Sequence, residues 1–66
     1  MQIQLNGEKT TVDDAATVQA LVESLGLAER RIAVEVNEEI VPRSQHSERR
    51  LADGDSVEIV HAIGGG

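Results

Sequence analysis

Met1-Gln2-Ile3-Gln4-Leu5-Asn6-Gly7-Glu8-Lys9-Thr10-Thr11-Val12 opens the chain as two short runs joined by Asn-Gly. Met1, Ile3 and Leu5 fall on one side of an extended backbone, and Gln2 and Gln4 on the other. That is the period-two pattern of a strand with one dry face. Asn6-Gly7 is the strongest short-range hairpin signal, because both residues tolerate the positive φ that a type I′ turn requires. A two-residue loop fixes the register, with Leu5 opposite Glu8, Ile3 opposite Thr10 and Met1 opposite Val12. Thr10 and Val12 then share the dry face, and the chain begins as half of a one-sided sheet.

Something must cover that face. Residues 13–16 read as a connection, and Thr17 is a suitable N-cap. Val18, Leu21, Val22 and Leu25 follow at i, i+3, i+4 and i+7, the stripe of an amphipathic helix, while Gln19, Glu23 and Ser24 face away. Gly26 stands where a left-handed C′ residue would end the helix, and Leu27 would fold back on Val22. At about two and a half turns the helix is too short for propensity to sustain it, so packing must.

After polar residues 28–31, Ile32, Val34 and Val36 alternate with Ala33 and Glu35 as a third strand. Asn37-Glu38-Glu39 turns the chain into Ile40-Val41, long enough only for an edge strand. Pro42 has no N–H for a ladder and ends it. Residues 43–50 are polar and irregular, with room for one helical turn. Leu51 is expected to anchor them to the core, and Asp53-Gly54-Asp55 supplies the next turn. Residues 57–63 are apolar nearly throughout, which predicts a central strand buried on both faces. The expected architecture is one mixed sheet gripping one helix, its last strand central and parallel to its first. No repeat or linker interrupts it.

Composition narrows the functions this unit can have. A domain of 66 residues buries only about 60% of the surface its unfolded chain exposes. With no Cys there is neither a disulfide framework nor a thiolate metal site. With no Phe, Tyr or Trp the core is left to Ile, Val, Leu and Ala. So small a core argues against a self-sufficient enzyme with an enclosed pocket. The net charge of -6, with Lys9 as the sole lysine, repels phosphate backbones and favours an electropositive protein partner over nucleic acid. No apolar run could span a bilayer and no signal-type leader is present, so no membrane is implied and the chain reads as cytosolic.

Side-chain chemistry offers little. His46 and His61 are isolated, whereas zinc needs three or four converging ligands. Asp53-Gly54-Asp55 lacks the spaced oxygen ligands of a calcium loop. Glu38-Glu39, Arg30-Arg31 and Arg49-Arg50 read as solvated surface. Arg43, held by rigid Pro42, is better placed to meet a partner. No nucleophile, base and oxyanion set can be assembled.

Gly64, Gly65 and Gly66 end the sequence directly after the last apolar run. A short glycine run alone is a weak motif and usually a frayed end. Attached to a strand, though, it is a thread with no side chains that can pass a narrow channel. The four residues from Ile63 onward would extend roughly 13 Å, carrying the carboxylate into another protein while the domain stays outside. A carboxylate is a poor electrophile; chemical use of it requires activation, for example as an acyl-adenylate, and with no Cys any sulfur must come from outside.

Asn37-Glu38-Glu39-Ile40-Val41-Pro42-Arg43, Leu51-Ala52-Asp53-Gly54-Asp55-Ser56-Val57-Glu58-Ile59 and the Gly65-Gly66 end together resemble the ThiS family, the ubiquitin-like sulfur carriers of thiamin biosynthesis. The resemblance covers essentially the whole chain in length, element order and ending. Small subunits of molybdopterin synthase share the Gly-Gly end and the turn, but are generally longer and differ before the glycines. Gly64 departs from the family pattern, which usually has a side chain there.

The resemblance implies an α+β, β-grasp (ubiquitin-like) fold: residues 1–63 forming a mixed four- to five-stranded sheet on one main helix, with residues 64–66 a flexible tail. It implies a protein substrate and not an enzyme, with no bound cofactor or metal. A ubiquitin-activating-like adenylyltransferase would use ATP to adenylate the Gly66 carboxylate. A cysteine desulfurase or related sulfurtransferase would supply sulfur for a thiocarboxylate, and thiazole synthase would receive it. Gly65 pairs with Gly66 as the working end, Gly64 tethers it, and Arg43 and Ile63 are expected at the docking surface. Two other readings stay open: a sulfur carrier for molybdenum or tungsten cofactor or for tRNA thiolation, and a ubiquitin-like interaction module with incidental glycines.

Overall fold

The two alternating runs at the start of the chain pair as expected in the computed structural model, which describes residues 1–61. Strand β1 (Gln2–Leu5) meets β2 (Glu8–Thr11) antiparallel, with Leu5 opposite Glu8 and Ile3 opposite Thr10. Asn6 and Gly7 carry φ values of 50° and 85° between them, the two left-handed residues of a type I′ turn. Beyond the strands the register continues through Val12 N–H to Met1 C=O at 2.9 Å.

Helix α1 (Val18–Ser24) is capped at both ends by the residues the sequence singles out. Thr17 Oγ1 accepts from the Ala20 N–H at 3.1 Å. The other early donors go to the loop before Leu51: Val18 N–H to Arg49 C=O and Gln19 N–H to His46 C=O, each 2.9 Å. Those N–H groups would otherwise have no partner inside the helix. At the C-terminal end Gly26 (φ 73°) donates to Glu23 C=O and Leu27 to Val22 C=O, both at 3.0 Å, the paired bonds of a Schellman cap.

Strand β3 (Ile32–Val36) pairs antiparallel with β4 (Glu39–Val41) and with β5 (Ser56–His61), while β5 runs parallel to β1. The sheet order is β2-β1-β5-β3-β4, so the last strand is central. The turn into β4 is tighter than expected: Asn37 and Glu38 alone form it, at φ 51° and 71°, and Glu39 already belongs to the strand. Asn37 is pinned to the Asp-Gly-Asp turn, its Nδ2 donating to Asp55 Oδ1 and its Oδ1 accepting from Ser56 N–H, each at 2.9 Å. A single 3₁₀ turn, Arg43–Gln45, is the only helical part of the polar loop among the described residues.

The core lies between α1 and one face of the sheet. Ile3, Val18, Val34, Val36 and Val57 are fully buried, and Leu21, Val22, Leu51 and Ile59 complete it. Two expectations need correction. Leu25 is the C-cap and is 43% exposed, because the helix ends one residue before the fourth position of its stripe. Strand β5 is not buried on both faces: Val57 and Ile59 are buried but Glu58 and Val60 are exposed. One short helix can cover only one side of the sheet, so a central strand here still has a wet face. Ala16 lies in the connection before α1 and is buried there, and its C=O accepts the Leu51 N–H at 2.9 Å, tying the helix entry to the loop before β5. The continuation of the last strand at residues 62–63 and the tail at 64–66 lie outside the described residues.

Candidate functional site

The chain reaches its C-terminal residues through β5, so the last described turn of that strand is the base of the site. In an antiparallel pair, successive residues aim their N–H and C=O groups to alternate sides. Ser56, Glu58 and Val60 bond toward β3; Val57, Ile59 and His61 face the β1 side. Ladder pairing with β1 stops at Leu5 opposite Val57, and Asn6 N–H then donates to Val57 C=O at 2.9 Å. The next residue on that side, Ile59, is met by a side chain instead of a strand. Its N–H donates to Asn6 Oδ1 at 2.8 Å, and its C=O accepts from Asn6 Nδ2 at 3.3 Å. A turn residue thus does the work of one more residue of β1 and holds the end of β5 in the sheet.

On the helix side of this end, Leu5, Leu25, Leu27 and Ile59, with Asn6 and His61 at the rim, line an open notch of about 330 Å³. On the opposite, wet face, Ile40 is 70% and Val60 55% exposed. The register sets Ala33 beside Val60, and Glu35 between Glu58 and Ile40, so aliphatic and acidic side chains alternate across that face.

Arg43, expected at a docking surface, does follow Pro42 at the start of the 3₁₀ turn. Its guanidinium donates to Ala28 C=O at 3.2 Å and to Arg30 C=O at 2.6 Å. These bonds clamp the helix-to-β3 connection, giving Arg43 a structural task that the spacing did not reveal. Ile63, Gly64, Gly65 and Gly66 lie outside the described residues.

His46 sits in a polar stretch of sequence yet is only 4% exposed, with Nε2 at 3.1 Å from Val41 C=O. Its ring pins the 3₁₀ turn to the end of β4, while its own C=O caps α1. Among the described residues, no three His, Cys, Asp or Glu side chains converge to hold a metal ion. Nor is any described helix long and apolar enough to cross a membrane. Among the described residues, the perturbed ionic pair lies at the opposite end of β1 from Asn6. There the N-terminal amine donates to Asp14 Oδ1 at 2.8 Å, raising its own pKa and lowering that of the carboxyl, chiefly through that hydrogen bond.

Of the residues that line the notch, His61 alone carries a titratable side chain, and the domain is a one-helix platform with β5 at its centre. The model of the ThiS family matches residues 2–66. The chain belongs to the ThiS family. It is 40% identical over 65 residues to the sulfur carrier protein ThiS of Bacillus subtilis, covering 97% of this chain and 98% of that protein. The crystal structure of the thiamine biosynthesis protein ThiS from Geobacter metallireducens superposes with a TM-score of 0.86 at 33% identity, covering both chains completely. This ThiS-family domain therefore has the β-grasp fold that the resemblance implied. It is also 46% identical over 66 residues to a thiazole synthase of Paramagnetospirillum magneticum. The chain spans 20% of that protein's length.

Proposed function

We propose that this ThiS-family domain is a sulfur carrier whose reacting group is the carboxylate of Gly66. The observation that carries the reading is the near end-to-end match to a protein named sulfur carrier protein ThiS. In this role the domain is a substrate, with no catalytic residue of its own. An adenylyltransferase joins the carboxylate to the α-phosphate of ATP and releases pyrophosphate. The terminal sulfur of a persulfide on a cysteine desulfurase or sulfurtransferase then displaces AMP to give an acyl disulfide. A thiol attacks the enzyme-side sulfur, releasing the thiocarboxylate and leaving the two thiol sulfurs joined as a disulfide. Gly64 and Gly65 keep the path to Gly66 free of side chains, so the activating enzyme can close around the acyl carbon. ATP belongs to the partner, and the carrier works with these enzymes in the cytoplasm.

Thiazole synthase is the proposed recipient. A closely similar sequence makes up a fifth of a protein named thiazole synthase, and nearly all of a separate sulfur carrier. Joining a donor to its acceptor in one chain raises their effective concentration without any new contact. That favours thiazole synthesis over molybdenum or tungsten cofactor or tRNA thiolation. The test is ATP–pyrophosphate exchange with the adenylyltransferase of the same organism. The full chain is expected to support exchange, and a variant lacking Gly66 to fold normally but support none. Exchange persisting in the truncated variant refutes the reading.

A further inference from the structure

The end of β5 has two unused features side by side. The first is a strand edge. Alternation aims the N–H and C=O of His61 to the same side as those of Ile59, where β1 has already turned away. Asn6 has used its side-chain amide on Ile59, so among the described residues no strand flanks His61 on that side. The second is the aliphatic notch directly beneath this edge. Ile59 and His61 share the helix-side face of β5, and Leu5, Leu25 and Leu27 close the notch below them. Leu25 is one of only three large hydrophobic side chains strongly exposed among the described residues, and it lies outside the core cluster.

An open strand edge over an apolar pocket is the geometry of β-strand addition: main-chain bonds hold an extended segment, and alternate side chains fill the pocket. Position decides whose segment it is. Residues 62–66 extend at most about 16 Å beyond His61 at roughly 3.3 Å each, so an enzyme that encloses the carboxylate of Gly66 must touch this end of the domain. A second copy of the chain has no such reason to be there, and both copies would bring the same net charge of -6.

We infer that the adenylating enzyme adds an extended segment beside His61, on the side where β1 ends, and seats one aliphatic side chain in the notch formed by Leu5, Leu25, Leu27 and Ile59. The inference rests on the carrier reading above and adds to it how the platform is gripped. Asn6 is then a positioning residue: it holds Ile59 in the sheet so that the edge at His61 is presented in register.

Leu25→Lys tests this. The position is exposed, and a cation at a helix C-terminus is tolerated or favoured, so the variant is expected to fold, checked by its amide chemical shifts. In pyrophosphate exchange with the adenylyltransferase of the same organism, KM for the carrier should rise about tenfold or more, the loss of one buried aliphatic contact, while kcat at saturation stays near wild type. In the wild-type complex, hydrogen exchange of the His61 amide should slow. A KM within about twofold of wild type, with His61 exchange unchanged on binding, overturns the inference while leaving the carrier reading intact. Concentration-dependent dimers abolished by Leu25→Lys, with KM unchanged, also overturn it by assigning the notch to a second copy. If the wild-type chain supports no exchange at all, the carrier reading fails and the inference falls with it.

Discussion

Replacing Asn6 separates two tasks that one side chain performs. Its backbone sits at φ 50° in the hairpin turn, and its amide bonds both the N–H and the C=O of Ile59. Glycine keeps the turn and removes the amide. The 2.8 Å bond is near ideal and the 3.3 Å bond is at the long end of the range, so together they should contribute about 1–2 kcal/mol net. Relief of side-chain strain at positive φ and the greater freedom of unfolded glycine act in opposite directions and largely offset each other. Alanine loses the same bonds and adds the cost of a left-handed residue, about 1–2 kcal/mol, for a total near 2–4 kcal/mol. A chain of this size has roughly 3–10 kcal/mol of stability, so both effects are large. Urea unfolding followed by far-ultraviolet circular dichroism reads them: with a slope of about 1 kcal/mol/M, Asn6→Gly should lower the midpoint by about 1–2 M, and Asn6→Ala by more. Hydrogen exchange at the Ile59 amide should accelerate in both variants. An unchanged or raised midpoint for Asn6→Gly would refute the reasoning, because the amide would then contribute nothing to holding β5.

Other substitutions probe the rest of the frame. Glu38 holds φ 71° in a type I′ turn where glycine is preferred; Glu38→Gly should stabilise by about 0.5–1 kcal/mol and raise Tm by several degrees, and a lower Tm would count against strain there. Leu21 is 3% exposed at the centre of the helix stripe. Leu21→Asp removes about 2–5 kcal/mol of packing and buries a carboxylate, enough to abolish cooperative unfolding, so a native-like melt would contradict the packing described. The N-terminal amine and Asp14 give a pH signature. The lowered Asp14 pKa means its contribution is lost as pH falls through the folded-state value; the raised amine pKa means that contribution is lost as pH rises through its own. N-terminal acetylation should return the Asp14 titration, followed by NMR, to the ordinary carboxylate range.

Much of the frame could be read from local patterns because each element carries its own punctuation. Asn6-Gly7 set the first register, Thr17 and Gly26 bounded the helix, and Pro42 ended β4. What pattern could not show was how many faces of the sheet would be covered. Residues 57–63 look like a strand buried on both sides, but coverage depends on the number of helices, and the described residues form one α-helix. Leu25 likewise fits the helix stripe, yet the cap at Gly26 stops the helix before it turns inward. The polar side chains that tie the fold together were the least legible. His46, Arg43 and Asn6 all bond to backbone groups of other segments, and such partners exist only once the chain has folded. Polar residues at irregular spacing carry no periodic signal, and a loop histidine or arginine reads as solvated until a carbonyl is found beside it. The candidate site was legible for a different reason: its distinguishing property is the absence of side chains at Gly64, Gly65 and Gly66, which needs no fold to be seen. The platform contributes what sequence did not disclose, an amide clamp and an apolar notch where β5 ends.

The central claim is that the Gly66 carboxylate carries sulfur. Intact mass spectrometry after incubation with ATP, the adenylyltransferase, a cysteine desulfurase and free cysteine tests it most directly. The expected result is a mass increment equal to replacing one oxygen by sulfur, localised by fragmentation to the peptide ending in Gly65-Gly66 and absent without ATP. An unchanged mass, or an isopeptide adduct joining Gly66 to a lysine, would contradict it.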